Sequence, residues 1–167
     1  ETFTPDVEVY SVDEAFLTVP TPEGDPAEVC AAMEARARDI RARVLRWTGI
    51  PVRVSWAETK TLAKAASEWA KERLRSGEEP CVCLWGHPDR EAWLERMDVG
   101  DVWGVGRRWG QSLRDLGGST AAKLAWAPDA VIIGAHASPT GRPCPATRRP
   151  PGAGRASREL RSCGPYG

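Results

Sequence analysis

The stretch YSVDEAFL at residues 10–17 places two adjacent carboxylates, Asp13 and Glu14, between two apolar runs. Both runs alternate and contain β-branched and aromatic residues, a pattern that favours strands. We therefore expect the two carboxylates at or near the turn of a β-hairpin. Neighbouring strand residues point to opposite faces of a sheet, so a turn or bulge is needed to bring both carboxyl groups to one site.

Two interpretations of this acidic pair stay open on the residues alone. Carboxylates so placed suit Mg²⁺, a hard cation that takes oxygen ligands and often shares them with the phosphates of a substrate. The other interpretation is a solvated hairpin turn with no ligand.

Two helices are predicted after the hairpin. Asp25, followed by Pro26 and Glu28, is a strong helix start, and Gly49 is a typical helix end. We interpret the arginine-rich outer face of this first helix as solvated. A second helix is predicted from Thr59 to Arg75 after a strand at residues 51–57, and its inward stripe is formed by Leu62, Ala66 and Trp69.

Three lysines of the second helix, Lys60, Lys64 and Lys71, fall within about 40° of one another at 100° per residue. Such a row is either a solvated face or a row of mobile positive charges that suits phosphates. The spacing alone does not decide between the two.

A helix-hairpin-helix is predicted in the stretch VGDVWGVGRR at residues 99–108. Val102 and Trp103 would end one short helix, and the next would turn Trp109, Leu113 and Leu116 inward. The glycines of the hairpin let backbone N–H groups approach a phosphate closely, and the start of the following helix favours an anion there. Before it, we expect a short strand at residues 81–85 and a short helix at residues 88–97 with Trp93 and Leu94 inward.

Three stretches carry a family resemblance. The stretch SVDEAFL at residues 11–17 resembles the "S-[IV]-D-E-A-[FY]-L" motif of Y-family translesion DNA polymerases of the UmuC type. Residues 49–71 resemble the "G-I-P-V-x-V-G-I-A-x-T-K-T-L-A-K-L-A-x-x-x-A-K" region of that family, with departures at Ser55, Trp56 and Ala65 that bear on packing. Residues 99–108 resemble "V-x-D-V-W-G-[IV]-G-R-R", which begins the thumb.

The resemblance, which covers residues 1 to about 130, implies Mg²⁺-dependent nucleotidyl transfer. It implies that Asp13 and Glu14 are catalytic, metal-binding carboxylates and that Lys71 meets the incoming deoxynucleoside triphosphate. The residues that it implies for DNA binding are Lys60, Lys64, Gly104, Val105, Gly106, Arg107 and Arg108. The implied partners are damaged primer-template DNA, a UmuD-like accessory subunit and a sliding clamp.

The predicted fold class is α+β. A partial palm (residues 1–84), with a mixed or antiparallel sheet and two packed helices, is followed by a truncated thumb (residues 85–130) and a disordered tail (residues 131–167). In the family, a further metal-binding Asp and the fingers would precede Glu1, so we expect this chain alone to be inactive. The rival interpretations are a non-catalytic DNA-binding or partner-binding fragment and a decayed fragment without activity.

Charge and composition limit other classes of function. Net charge is zero, with 17 basic and 22 acidic residues up to Ile133 and six arginines and one acid from Gly134 onward. The body therefore has no global basic footprint, and any DNA contact must be local. The five cysteines lack zinc-type paired spacing, so we expect reduced, buried thiols, no metal at Cys81 and Cys83, and a cytoplasmic protein. No apolar run approaches the roughly 20 residues of a membrane span.

Overall fold

The structure, a computed structural model, describes residues 3–128 and residue 132. It divides into two compact units, the first ending at Arg90 and the second beginning at Glu91. Elements of both types are present, which confirms the α+β class at this coarse level. The expected tail (residues 131–167) lies, apart from residue 132, outside the described residues.

The first unit opens with the predicted β-hairpin. Strands β1 (Val7–Val9) and β2 (Ala15–Leu17) pair antiparallel, with Val7 opposite Leu17 and Val9 opposite Ala15. The five residues between them, 10–14, form the connection and hold both acidic residues. The expectation that Asp13 and Glu14 lie at the hairpin turn is confirmed.

Helix α1 (Pro26–Thr48) begins and ends where the sequence predicts. The Asp25 carboxylate accepts the backbone N–H groups of Ala27 and Glu28, and Pro26 occupies the first turn, where no N–H is needed. Gly49 ends the helix in the left-handed conformation (φ 72°) and donates its N–H to the Leu45 carbonyl. The inner face buries Val29, Cys30, Met33, Ala37 and Ile40.

The rest of the first unit is a β-α-β arrangement. Strand β3 (Val54–Trp56) leads into α2 (Lys60–Arg75), and strand β4 (Cys81–Cys83) returns parallel to β3. Helices α1 and α2 both pack on these strands. The prediction of a mixed or antiparallel sheet is confirmed only in part: the described residues form one antiparallel and one parallel pair of strands, in separate sheets.

The buried stripe of α2 agrees with the predicted one at Ala66 and differs from it elsewhere. Its buried residues are Thr61, Ala65, Ala66 and Ala70, while Leu62 and Trp69 are half-buried. Small side chains allow the helix backbone to approach β3 closely, and the Ser55 hydroxyl donates to the Ala63 carbonyl at 2.9 Å. The sequence pattern favoured the larger apolar groups, whereas close approach selected the smaller ones.

The thiols of Cys30, Cys81 and Cys83 are free and buried, which confirms the interpretation of the CVC stretch as a strand with two buried thiols. All three residues of β4 are buried, as expected for a strand that is covered on both faces. Burial raises the pKa of the Cys83 thiol strongly, and it also raises the pKa of Cys30 and of Cys81. These thiols are therefore neutral groups of the core.

Short helices form the described part of the second unit. They are α3 (Arg90–Arg96), which starts at the junction of the two units, a 3₁₀ turn (Val99–Asp101), α4 (Arg107–Asp115) and α5 (Ala121–Ala125). Trp93, Leu94 and Leu113 are buried as predicted. Leu116 is not: it is 54% exposed, because α4 ends at Asp115 and the chain turns away through Gly117.

None of the described helices combines the length and the apolar character that a membrane span requires.

Candidate functional site

The hairpin loop fixes the two acidic residues through its own hydrogen bonds. The N–H groups of Tyr10 and Ser11 both donate to the Glu14 carbonyl, at 3.0 and 3.1 Å. The Ser11 hydroxyl donates to Asp13 Oδ1 at 2.8 Å. The Asp13 side chain is exposed and the Glu14 side chain is half-buried, so the two neighbours have different surroundings.

Lys64 of α2 neutralises Glu14. Its ammonium Nζ donates to both carboxylate oxygens, at 2.6 Å to Oε1 and 2.5 Å to Oε2. The same Nζ lies 5.0 Å from the centre of the Tyr10 ring, a cation–π distance. The Lys64 side chain is only 20% exposed, so the pair is shielded from water more than an ordinary surface ion pair.

Lys60 repeats this arrangement one helical turn earlier. It forms an ion pair with Glu8 of β1, and its Nζ lies 5.3 Å from the centre of the Phe16 ring. Two lysines of one helix therefore bind two glutamates of the hairpin, and each also contacts an aromatic ring there. Together they attach the β1–β2 hairpin to α2.

Lys71 has a different partner. Its ammonium contacts Glu68 of the same helix at 3.2 Å. The predicted row of three lysines is thus split, because Lys60 and Lys64 face the hairpin while Lys71 is engaged within α2. No pattern in the sequence indicated the two hairpin contacts, since their partners lie about 50 residues away along the chain.

The connection at residues 10–14, here called the acidic loop, has side chains that fit Mg²⁺ in part. Asp13 and Glu14 are hard oxygen donors of the kind that this cation prefers, and one or two carboxylates plus substrate phosphates form a common Mg²⁺ site. Glu14 is held by Lys64, however, and residues 3–128 contain no group of three or more His, Cys, Asp or Glu side chains that could hold a metal ion. The loop therefore offers two oxygen-donor side chains, one of which is already paired with an ammonium.

The second unit contains the glycine hairpin that was predicted to bind DNA. Gly104 adopts the left-handed conformation (φ 90°), and Val105 is buried with its N–H donated to the Val102 carbonyl. Gly106 caps α4 without a side-chain hydrogen bond, and Arg107 and Arg108 are exposed on the first turn of that helix. The element before the hairpin is a single 3₁₀ turn rather than a helix that ends at Val102 and Trp103.

An ion pair that the sequence did not indicate joins the two elements on either side of this hairpin, the 3₁₀ turn and α4. Asp98, the cap of the 3₁₀ turn, accepts the Gly100 N–H at 2.7 Å and binds Arg114 of α4 through both carboxylate oxygens, at 2.5 and 3.3 Å. The hydrogen bond from Arg114, followed by that from Gly100, lowers the pKa of Asp98. The two partners are 16 residues apart with no motif to connect them.

We expect Asp98→Asn to destabilise the second unit at neutral pH and not at acid pH. The lowered pKa means that the Asp98 carboxylate stabilises the fold above its unfolded pKa of about 3.9 and loses that effect as pH falls through the lower folded value. Thermal unfolding of both proteins, followed by circular dichroism, should give melting temperatures that differ at pH 7 and approach each other as pH falls below the unfolded pKa of about 3.9. Asp115→Asn, an exposed change on α4, is the control. A gap that stays constant with pH would contradict the assignment.

Comparison with known proteins finds one matching family model and several similar curated proteins. Residues 1–68 match the sequence model of the IMS family, described as the impB/mucB/samB family. The protein UmuC of Salmonella typhimurium is 40% identical over 124 residues, which are 74% of this chain and 28% of that protein. The protein SamB of the same species is 35% identical over 125 residues, covering 75% of this chain and 28% of that protein.

A relative with a different name extends the same pattern. A DNA polymerase IV from Ralstonia nicotianae is 33% identical over 129 residues, which are 76% of this chain and 33% of that protein. The chain therefore spans about a third or less of the length of these curated relatives. No solved structure matches the chain significantly.

Proposed function

We propose that this chain is part of a Y-family translesion DNA polymerase, because residues 1–68 match the model of the impB/mucB/samB family. The first unit is the part of the palm that carries the acidic loop, and the second unit is the start of the thumb. In the complete enzyme, this part contributes to template-directed nucleotidyl transfer past damaged bases. A UmuD-like accessory subunit and a sliding clamp are the partners proposed for that complete enzyme.

The observation that supports the proposal is the contact between the acidic loop and α2, called the lysine helix here because it contains Lys60, Lys64 and Lys71. Asp13 and Glu14 lie in the loop, and Lys64, 50 residues later, is within hydrogen-bond distance of Glu14. A polymerase needs carboxylates for metal ions and cations for phosphates in one place, because the transferred group is a phosphoryl group that carries negative charge. This structure brings both kinds of side chain together.

Each proposed site residue has one role. Asp13, whose carboxylate is exposed, would hold Mg²⁺ together with Glu14, and the bound cation would neutralise and orient phosphate oxygens. Lys71 would neutralise a triphosphate, and Lys60 and Lys64 would contact phosphates of nucleic acid.

The second unit is proposed to hold DNA through its hairpin. The residues that carry this role are Gly104, Val105, Gly106, Arg107 and Arg108. The Gly106 backbone is open, since a Cβ built there meets nothing within 4 Å, so a phosphate can approach the first N–H groups of α4. The two exposed arginines that follow add charge without reading base sequence.

We expect the chain to bind primer-template DNA weakly and with a shallow salt dependence. Lys60, Lys64 and Lys71 changed together to Ala should lower the affinity roughly tenfold at low salt. The slope of log K against log salt should flatten by up to about 0.9 for each lysine that contacts a phosphate. Fluorescence anisotropy of labelled DNA at several salt concentrations measures both quantities.

A charge-matched control separates these lysines from net charge. Arg46, Arg53 and Arg75 are exposed, and their joint change to Ala removes the same three positive charges from other places. This variant should keep the wild-type salt slope. Equal losses in the two triple variants would refute the specific role of the lysine helix.

The rival proposal is that this chain is a fragment without polymerase activity of its own. Two-metal phosphoryl transfer needs carboxylates on both sides of the metal pair, and the described residues contain no group of three or more His, Cys, Asp or Glu side chains that could hold a metal ion. We expect no template-dependent incorporation by the purified chain with Mg²⁺ or with Mn²⁺, in a primer-extension assay with a complete UmuC-type polymerase as the positive control. Incorporation that Asp13→Ala abolishes would show that the remaining ligand comes from elsewhere, for example from a second chain.

A further inference from the structure

Glu14 has a partner that a divalent cation would have to displace. The Lys64 ammonium occupies both oxygens of the Glu14 carboxylate and is also held over the Tyr10 ring. A carboxylate in this position cannot serve a divalent cation fully while an ammonium stays on it, because the two positive charges repel at a few ångströms. Asp13, by contrast, accepts the Ser11 hydroxyl at 2.8 Å, and its exposed side chain is accessible to a cation.

We propose that Lys64 is an exchangeable counter-ion of the acidic loop. It neutralises Glu14 while no divalent cation is bound, and a divalent cation at Asp13 and Glu14 releases its ammonium. The released ammonium is then free to meet a phosphate, a step that rests on the polymerase function proposed above. Metal binding at the loop and phosphate binding by Lys64 are therefore coupled with positive sign.

The geometry supports exchange rather than a permanent structural pair. The loop backbone is fixed by its own hydrogen bonds, from Tyr10 and Ser11 to the Glu14 carbonyl, so it does not depend on Lys64 for its shape. The neighbouring pair of Lys60 with Glu8 attaches the same hairpin to the same helix without contacting Glu14. Loss of the Lys64 contact therefore leaves the hairpin attached.

Lys60 also provides the matched control. It lies one turn from Lys64 on the same helix, carries the same charge and pairs with a hairpin glutamate outside the acidic loop. Any effect of net charge on cation binding is common to the two lysines. An effect of Lys64 alone reports on the Glu14 carboxylate.

The first experiment measures Mn²⁺ binding to the full chain without DNA, from the electron paramagnetic resonance signal of free Mn²⁺. Lys64→Met should bind Mn²⁺ about fivefold or more tightly than wild type, which is the low end of typical coupling between two sites. Lys60→Met should show only the smaller gain that the loss of one positive charge produces at either position, so the excess gain in Lys64→Met reports on Glu14. The gain should vanish in the Lys64→Met/Glu14→Gln double variant.

Mn²⁺ affinity in Lys64→Met that equals or falls below that of the wild type would overturn the proposal, and so would a gain that survives in the double variant. Circular dichroism confirms folding of each variant, and Lys64→Gln replaces Lys64→Met if the latter does not fold. Because this measurement contains no nucleic acid, a failure of DNA binding leaves its outcome unaffected, and the two proposals fail separately.

The release of the ammonium is measured on the wild type. An amine-acetylating reagent, with peptides read by mass spectrometry, should modify Lys64 faster when Mn²⁺ is present. Lys60 and Lys71 should react at unchanged rates, since their partners Glu8 and Glu68 lie outside the acidic loop. A Lys64 rate that does not respond to Mn²⁺ would show that the ammonium is not released.

Discussion

Gly86→Ala should be among the most destabilising single changes in the first unit. Gly86 follows β4 in a turn closed by the His87 N–H on the Leu84 carbonyl, and its φ is 69°. A Cβ at this position collides with the Pro26 carbonyl oxygen and lies 2.7 Å from the Pro26 carbonyl carbon, at the first turn of α1. We expect a loss of about 2–5 kcal/mol, of which roughly 1–2 comes from the left-handed backbone and roughly 1–3 from overpacking.

Gly49→Ala is the matched control for this prediction. Gly49 has nearly the same backbone conformation, with φ 72°, but a Cβ built on it meets nothing within 4 Å. Its change to Ala should therefore cost about 1–2 kcal/mol, the backbone part alone. Urea unfolding followed by circular dichroism measures both losses, and equal losses would show that the contact with Pro26 relaxes at no cost.

Local signals in the sequence predicted the helices of the first unit well. The Asp25 cap, Pro26 at the first turn and Gly49 in the left-handed conformation act within a few residues, and all three are present in the structure. Thr59 likewise caps α2, by accepting the Leu62 N–H. Such features depend on the chain near them, so the sequence contains the whole of the interaction.

Contacts between distant parts of the chain were beyond the reach of the same reasoning. Periodicity placed Lys60 and Lys64 on one face of α2 but gave no information on what covers that face, and the structure covers it with the hairpin. The parallel pairing of β3 with β4 and the ion pair of Asp98 with Arg114 are also contacts between separate segments. These pairings depend on how the elements pack, which the one-dimensional pattern does not specify.

The candidate site combines a local feature that the sequence predicts with a distant contact that it does not predict. The acidic pair was predicted at a hairpin turn from strand propensity, and that position is confirmed. Its engagement by Lys64 was not predicted, because a carboxylate and an ammonium that are 50 residues apart show no pattern. Experiments on the Glu14–Lys64 pair therefore test the part of the site that the sequence could not supply.

Leu113→Ala should destabilise the second unit by about 2–5 kcal/mol, the usual cost of truncating a large buried aliphatic side chain. Leu113 is 1% exposed, whereas Leu116, at the end of the same helix, is 54% exposed. Leu116→Ala should therefore change stability by less than about 0.5 kcal/mol. Thermal and urea unfolding of the two variants compare a buried and an exposed leucine three residues apart, and a similar loss in both would contradict the burial of Leu113.

The same pair of variants tests whether the packing of α4 affects the affinity of the glycine hairpin for DNA. Helix α4 lies close to the elements before it, since a Cβ on Gly110 would sit 3.3 Å from the Gly100 Cα and 3.5 Å from a methyl group of Val105. A cavity at Leu113 loosens the helix whose first turn carries Arg107 and Arg108, so the hairpin loses its fixed geometry. We expect Leu113→Ala to weaken binding of primer-template DNA and Leu116→Ala to leave it unchanged. Undiminished binding by a folded Leu113→Ala variant would place the DNA contact elsewhere, in the first unit with its lysine helix.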